Sequence, residues 1–216
     1  MRKTLLTMAL VAAVACGLYA GDGKKKVACV GDSITFGASI KDRKNNSYPC
    51  QLGKILGDKW EVRNFGVNCA TLLKKGDTPY WNLKAYKNAL AYKPDVVVIM
   101  LGTNDSKPGN WKHKKDFVSN YIELVKSFQK LDSKPQVWVC LPVPAFPGKW
   151  GINEKTIGGE MVPMLKEVAK KTGAKILDLH AALKNYGKLF PDTVHPNAEG
   201  AGLMAKAVAK AIAGKK

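Results

Sequence analysis

Five short apolar runs alternate along the chain with longer segments whose apolar residues recur at helical spacing. The third run, residues 96–101, is apolar without alternation, which is typical of a strand buried on both faces of a sheet. Strands that alternate with helices predict a mostly parallel sheet covered by helices on both sides. The predicted strands are 27–30, 61–65, 95–101, 137–141 and 175–179.

Three segments carry the helical pattern most clearly. Apolar residues recur three or four positions apart after residues 116, 161 and 203, and lysines occupy the other positions. This is the pattern of amphipathic helices that pack one stripe against a core. In parallel α/β sheets the functional residues lie at the carboxyl ends of the strands. The sequence therefore predicts its chemistry in the loops that follow the strands.

The first 20 residues have the layout of a secretory signal peptide. Two basic residues precede an apolar stretch over 5–15, and small residues end at Ala20 before a polar run. The apolar stretch is too short for a membrane span. We predict cleavage after Ala20, export to the periplasm or the medium, and a single domain over 21–216. Lipid anchoring through Cys16 is the less favoured alternative.

A formal net charge of +18 raises the question of nucleic-acid binding. After the predicted cleavage only Arg43 and Arg63 remain as arginines, so the guanidinium groups that grip phosphates and bases are scarce. The lysines are spread over the whole chain. The sequence thus favours a solvated lysine-rich surface over nucleic-acid binding, with attraction to anionic glycans or cell surfaces as the next interpretation.

Four cysteines follow the predicted signal peptide. Cys29 and Cys140 lie inside apolar runs and are predicted to be small core residues. Cys50 and Cys69 lie outside such runs, and export permits oxidation, so a disulfide between them is a hypothesis. No paired CxxC spacing suggests zinc, and we predict neither a metal nor a cofactor.

A serine follows the first predicted strand, in a Gly-Asp-Ser sequence at 31–33. At the carboxyl edge of the sheet Ser33 is a candidate nucleophile, although Ser33 or Asp32 can equally be a helix cap. A serine nucleophile needs an adjacent base. Of the three histidines, His113 lies in a lysine-rich stretch and His180 directly follows the fifth strand, where solvation and packing are the simpler interpretations.

The third histidine, His195, precedes the C-terminal helix, and Asp192 stands three residues before it. Such a carboxylate can reach back to the imidazole, fix its tautomer and stabilise its protonated form, as the acid of a catalytic triad does. A turn-forming aspartate beside a surface histidine is the alternative interpretation.

Two further positions follow the second and third predicted strands. Gly66 can bring a backbone N–H close to a ligand because it has no Cβ, and Asn104 places a side-chain amide at the same edge of the sheet. With the N–H of Ser33 they make a candidate oxyanion hole for acyl transfer. Taken singly, the glycine and the asparagine can also be ordinary turn residues.

The serine, the glycine, the asparagine and the Asp-x-x-His pair resemble, in this order, the conserved blocks of the GDSL or SGNH hydrolase family. The resemblance runs from residue 27 to about 212. One departure is that relatives often carry Ser-Gly after the second block, where this chain has Asn68 and Cys69. The matching segments are Gly31-Asp32-Ser33, Gly66, Gly102-x-Asn104-Asp105 and Asp192-x-x-His195.

The resemblance implies a three-layer α/β/α, flavodoxin-like fold with a five-stranded parallel sheet in the order 2-1-3-4-5. It also implies metal-free ester hydrolysis, with Ser33 as nucleophile, His195 as base and Asp192 as the acid that orients it.

Within the family the chain looks most like compact carbohydrate O-acetylesterases, including those that act on sialic acid. The expected partner is a small-molecule or glycan ester, such as acetylated sialic acid or polysaccharide. Phe146 and Trp150, in the segment after the fourth strand, are predicted with Asp32 to contact it. A lysophospholipase or thioesterase acting on longer acyl chains is one alternative, and a non-catalytic glycan-binding module is another.

Overall fold

The computed structural model describes residues 23–214. The predicted signal peptide and Cys16 lie outside these residues, so export and lipid anchoring stay predictions. Among the described residues, no helix has both the length and the apolar composition that a transmembrane span requires.

Five parallel strands form one sheet in the order β2-β1-β3-β4-β5. Each strand predicted from the sequence is present, and the strand order implied by the resemblance is confirmed. The strands are β1 (Lys25–Gly31), β2 (Trp60–Gly66), β3 (Val96–Met100), β4 (Gln136–Leu141) and β5 (Lys175–Asp178).

Helices connect the strands and cover both faces of the sheet, so the fold is a three-layer α/β/α sandwich. The three segments with the clearest helical pattern are helices, and α8 follows directly on a π-helical turn. The helices are α1 (Ser33–Phe36), α2 (Arg43–Asn46), α3 (Tyr48–Leu56), α4 (Lys84–Ala91), α5 (Pro108–Trp111), α6 (Phe117–Gln129), α7 (Glu154–Thr156), α8 (Val162–Thr172), α9 (Leu179–Leu183) and α10 (Ala198–Ala213).

Alternate side chains of the central strand pack into two separate apolar cores. Val98 and Met100 point to the core under α3 and α10, whereas Val97 and Ile99 point to the core under α6 and α8. All four side chains are fully buried. The third apolar run therefore lacks alternation because both faces of β3 are covered by helices.

The cysteines separate into core and loop positions. Cys29 and Cys140 are buried in the core, as predicted. The hypothesis of a Cys50–Cys69 disulfide is wrong, since both thiols are free. Cys50 lies partly buried on α3. Cys69 instead lies exposed in the loop after β2.

Candidate active site

Ser33 is the first residue of α1, directly after β1 and one turn residue. The chain turns sharply here because Gly31 packs against its neighbours: a Cβ on Gly31 would lie 2.1 Å from the Thr35 hydroxyl oxygen and 2.6 Å from the carbonyl of Met100. The turn places the Ser33 side chain at the carboxyl edge of the sheet. The backbone N–H of Ser33 is also one of the N-terminal amides that α1 cannot satisfy internally.

Asp32 is the N-cap of this helix. Its Oδ1 accepts a hydrogen bond from the Ile34 N–H at 2.9 Å, and the residue is fully buried. Burial raises the pKa of the Asp32 carboxyl to about 6. The structure thus places Asp32 as a helix cap, the alternative interpretation of this residue from the sequence.

His195 and Asp192 form a line of hydrogen bonds with Ser33. The Ser33 Oγ lies 2.8 Å from His195 Nε2, and His195 Nδ1 lies 2.8 Å from Asp192 Oδ2. Asp192 Oδ1 also accepts the backbone N–H groups of Val194 and His195, at 3.0 and 2.7 Å. The sequence-predicted serine, histidine and aspartate are thus brought together in one arrangement.

The electrostatics of Asp192 favour the tautomer that this arrangement requires. Burial acts to raise the pKa of Asp192, but the hydrogen bonds from His195 and Val194 outweigh it and hold that pKa below its usual value. The ionised carboxylate accepts the Nδ1 proton of His195, which leaves Nε2 free to accept the proton of the Ser33 hydroxyl.

The other two histidines lie away from Ser33. His180 Nε2 pairs with Glu154 Oε1 at 2.6 Å, and His113 lies in the loop between α5 and α6. Among residues 23–214, no group of three or more His, Cys, Asp or Glu side chains is placed to hold a metal ion.

A cavity of about 450 Å³ opens over the Ser33 hydroxyl. Trp150 is 55% exposed, and its ring centroid lies 5.8 Å from that of His195, so this predicted substrate contact is on the cavity. Phe146 does not line the cavity, because its ring packs against that of Phe190, with the two ring centroids 5.0 Å apart. The lining includes Ser33, Cys69, Asn104, Lys107, Trp150 and His195.

Gly66 does not supply the cavity with a hydrogen-bond donor. Its backbone N–H donates to Asn64 Oδ1 at 2.9 Å, and the residue is not on the cavity lining. A Cβ on Gly66 would lie 2.3 Å from the backbone nitrogen of Phe36. The glycine is therefore needed for the close approach of β2 to α1, and its N–H is already bonded to Asn64.

Cys69 lies three residues later, in the loop after β2. It lines the cavity with a backbone φ of +64°, a conformation that favours glycine. Its N–H makes no hydrogen bond to another residue of the described chain. The sequence contained a pointer to this position, because Asn68 and Cys69 stand where relatives often have Ser-Gly.

Asn104 lines the cavity from the loop after β3. Its Nδ2 donates one hydrogen bond, to the carbonyl of Ala70 at 3.2 Å. An amide NH₂ has two donor hydrogens, so one remains for a ligand. Three residues on the cavity lining therefore have a hydrogen-bond donor without a partner in the described chain: the N–H groups of Ser33 and Cys69 and one side-chain amide hydrogen of Asn104.

The loop that carries Cys69 is held by buried polar side chains. The two carboxylate oxygens of Asp105 accept the backbone N–H groups of Leu72 and Leu73, at 2.9 and 2.7 Å. Asn120 Oδ1 accepts a third N–H of this loop at 3.0 Å. Because these groups are buried, an unmade bond here costs about 1–3 kcal/mol, which keeps the loop in place.

We expect Asp105→Asn to flatten the pH dependence of stability. Burial raises the pKa of Asp105 from its usual 3.8 to about 7. Between these values the folded protein holds a proton that the unfolded chain releases. Protonation of Asp105 therefore favours folding at low pH, and the free energy of unfolding falls as the pH rises from 3.8 towards 7. The loss is about 1.4 kcal/mol per pH unit for one proton. Urea unfolding at several pH values measures this slope, and an unchanged slope in the variant contradicts the prediction.

Residues 29–203 match the model of the GDSL-like Lipase/Acylhydrolase family. An acetylxylan esterase from Xylanibacter ruminicola is 46% identical over 205 residues, which cover 87% of this chain and 43% of the relative. The chain thus spans less than half the length of that relative.

Solved structures show the same fold. A carbohydrate acetylesterase from Sinorhizobium meliloti matches with a TM-score of 0.72 at 21% identity, over 88% of this chain and 99% of the other. The aryl esterase of M. smegmatis matches with a TM-score of 0.69 at 21% identity, over 87% and 98% of the two chains. The family model covers most of the chain, and the chain belongs to the GDSL-like lipase/acylhydrolase family.

Proposed function

We propose that this protein is a serine esterase that removes acetyl groups from carbohydrates. The observation that carries the proposal is the line of 2.8 Å contacts from Ser33 through His195 to Asp192, at the floor of an open cavity. The acetylxylan esterase from Xylanibacter ruminicola supports the acetyl and carbohydrate parts of the proposal.

In the proposed reaction His195 Nε2 takes the proton of the Ser33 hydroxyl as the Ser33 oxygen attacks the ester carbonyl. Asp192 stabilises the imidazolium that forms. His195 then gives its proton to the departing sugar hydroxyl, and the acetyl group stays on Ser33. A water molecule, activated by His195 in the same way, attacks this acyl-enzyme and releases acetate.

The negative charge that develops on the carbonyl oxygen needs hydrogen-bond donors placed beforehand. We assign this role to the N–H groups of Ser33 and Cys69 and to the free amide hydrogen of Asn104. The cavity lining that these residues share supports the assignment. The positive φ of Cys69 supports it too, because a strained conformation is kept where the surrounding structure imposes it.

The sugar is proposed to lie against Trp150. This side chain is more than half exposed at the cavity, beside His195. Aromatic rings offer a large apolar face for stacking on a sugar ring at a small cost in side-chain entropy.

Replacing Trp150 with alanine is expected to raise KM for an acetylated oligosaccharide about tenfold, a loss of about 1.4 kcal/mol of binding. The effect on p-nitrophenyl acetate, which has no sugar, is expected to be smaller. Initial rates on both substrates test this, with Phe146→Leu as the control because Phe146 lies off the cavity. Equal losses on both substrates contradict a sugar-binding role.

The chemical class of the ester is tested by a series of acyl lengths. Acetate release is measured from acetylated xylo-oligosaccharide and acetylated sialic acid, and p-nitrophenyl esters from acetyl to octanoyl are compared. We expect the rate to fall steeply beyond propionyl. A preference for octanoyl supports the lysophospholipase or thioesterase alternative instead. Sugar binding without any turnover supports the glycan-binding alternative.

A further inference from the structure

A second concave surface adjoins the catalytic cavity. This basic cleft has a volume of about 380 Å³ and lies between the loop after β2 and the segment from Lys107 to His113. Gly109 leaves it open, since a Cβ there would meet nothing within 4 Å. The side chains that matter here are Lys75, Asp77, Lys107, Asn110, Lys112 and His113.

The basic cleft and the catalytic cavity share one residue. Lys107 lines both of them, so the two spaces meet at its side chain. Asn110 is buried beneath the cleft and bridges it to the catalytic cavity. Its Nδ2 donates to the carbonyl of Asn104 at 2.9 Å, and its Oδ1 accepts the N–H of Asp77 at 3.0 Å. A group bound in the cleft is therefore held at a set position relative to Asn104.

The charges of the cleft are mainly positive. Three lysines line it against a single aspartate, Asp77. Lys75 is partly neutralised by Asp116, whose carboxylate lies 2.9 Å from its ammonium nitrogen. Lys107 and Lys112 form no ion pair with another residue in 23–214. Two uncompensated cations at the rim of a concave surface attract an anion.

We propose that the basic cleft is a subsite for the carboxylate of a uronic acid in the same carbohydrate chain as the ester that Ser33 attacks. The proposal rests on the proposed function, because it names which carbohydrates that function favours. A polymeric substrate too long for the catalytic cavity must continue beyond it. Its neighbouring sugar can pass Lys107 and place a carboxylate between Lys107 and Lys112.

The test is the ratio of kcat/KM for two substrates, an acetylated xylo-oligosaccharide with a glucuronic acid branch on a neighbouring residue and the same oligosaccharide without the branch. We expect the branched substrate to be favoured about tenfold at low salt. Because the cleft is open to solvent, the preference should shrink at about 0.5 M salt. A ratio near one at low salt overturns the proposal.

Charge reversal at the cleft gives the second measurement. Lys112 is exposed, so Lys112→Glu is expected to fold normally and to bring the ratio to one or below. Lys206→Glu is the matched control, because it makes the same charge reversal at an exposed lysine on α10, at the opposite face of the sheet. The control should keep the wild-type ratio. A ratio that Lys112→Glu leaves unchanged contradicts the assignment.

A binding experiment separates the failure of this proposal from the failure of the esterase. Calorimetric titration of the protein with the deacetylated branched and unbranched oligosaccharides needs no turnover. We expect about tenfold tighter binding of the branched form, lost in Lys112→Glu. If both forms bind equally while acetyl esters are hydrolysed, the subsite is wrong and the esterase stands. If the branched form binds better but no ester is hydrolysed, the proposed function is wrong and the cleft remains a uronate site.

Discussion

Ser33→Ala is expected to lower kcat/KM for an acetyl ester by about 10⁴-fold to 10⁶-fold. The substitution removes the only atom that can carry the acetyl group in the proposed reaction. His195 and the three proposed oxyanion donors remain, so the variant is expected to stay slightly faster than the uncatalysed hydrolysis in water. Acetate release from p-nitrophenyl acetate and from an acetylated oligosaccharide measures the loss.

The control for Ser33→Ala has to show that the fold is intact. The thermal unfolding midpoint of Ser33→Ala should stay close to that of the wild type. The Ser33 Oγ is hydrogen-bonded to His195 Nε2, so the substitution leaves only this one nitrogen without its partner. Two histidine variants extend the test. His195→Gln should be inactive, whereas His180→Gln should stay active, since His180 pairs with Glu154 away from the serine. Equal activity of Ser33→Ala and wild type contradicts the proposed mechanism outright.

The fold could be predicted because its strands are recognisable in the sequence as short apolar runs. A run such as residues 96–101 is stable only where both faces are covered, and this requirement dictates a parallel sheet between helices. The sheet then determines where functional residues can lie. Ser33 and Asn104 follow β1 and β3 at the same edge, so position along the chain was enough to bring them together.

The donors of the proposed oxyanion hole could not be assigned in the same way. Gly66 and Cys69 both follow β2, and a glycine is the usual choice where a backbone must approach closely. Gly66 does need that close approach, but to α1 and not to a ligand. Which N–H group is already bonded depends on the Asn64 side chain. That information lies in tertiary packing, and a sequence pattern does not contain it.

The two aromatic residues after β4 show the same limit. Phe146 and Trp150 lie four residues apart in one loop, and their residue types alone make both of them candidates for sugar binding. Phe146 is drawn inward because it packs on Phe190, which comes 44 positions later in the chain. Trp150 is left exposed at the cavity. A contact between such distant residues decides which ring is exposed at the cavity.

Asn104→Ala is expected to lower kcat by about 10²-fold to 10³-fold, or about 3–4 kcal/mol of transition-state stabilisation. The free amide hydrogen of Asn104 is proposed to bind the oxygen only once negative charge has developed on it. KM should therefore change little, because the ground state does not depend on this bond. Steady-state rates on an acetylated oligosaccharide separate kcat from KM.

Asn104 also donates to the carbonyl of Ala70, so its loss can disturb the loop that carries Cys69. Asn120→Ala is the matched control, because Asn120 holds the same loop through the Lys74 N–H and does not line the cavity. If Asn104 stabilises the oxyanion directly, its variant must lose far more kcat than Asn120→Ala. Asn104→Asp sharpens the comparison, since it keeps the shape of the side chain but sets an acceptor against the developing charge. If all three variants lose kcat equally, Asn104 acts by positioning the loop, and the oxyanion is held by the backbone N–H groups of Ser33 and Cys69 alone.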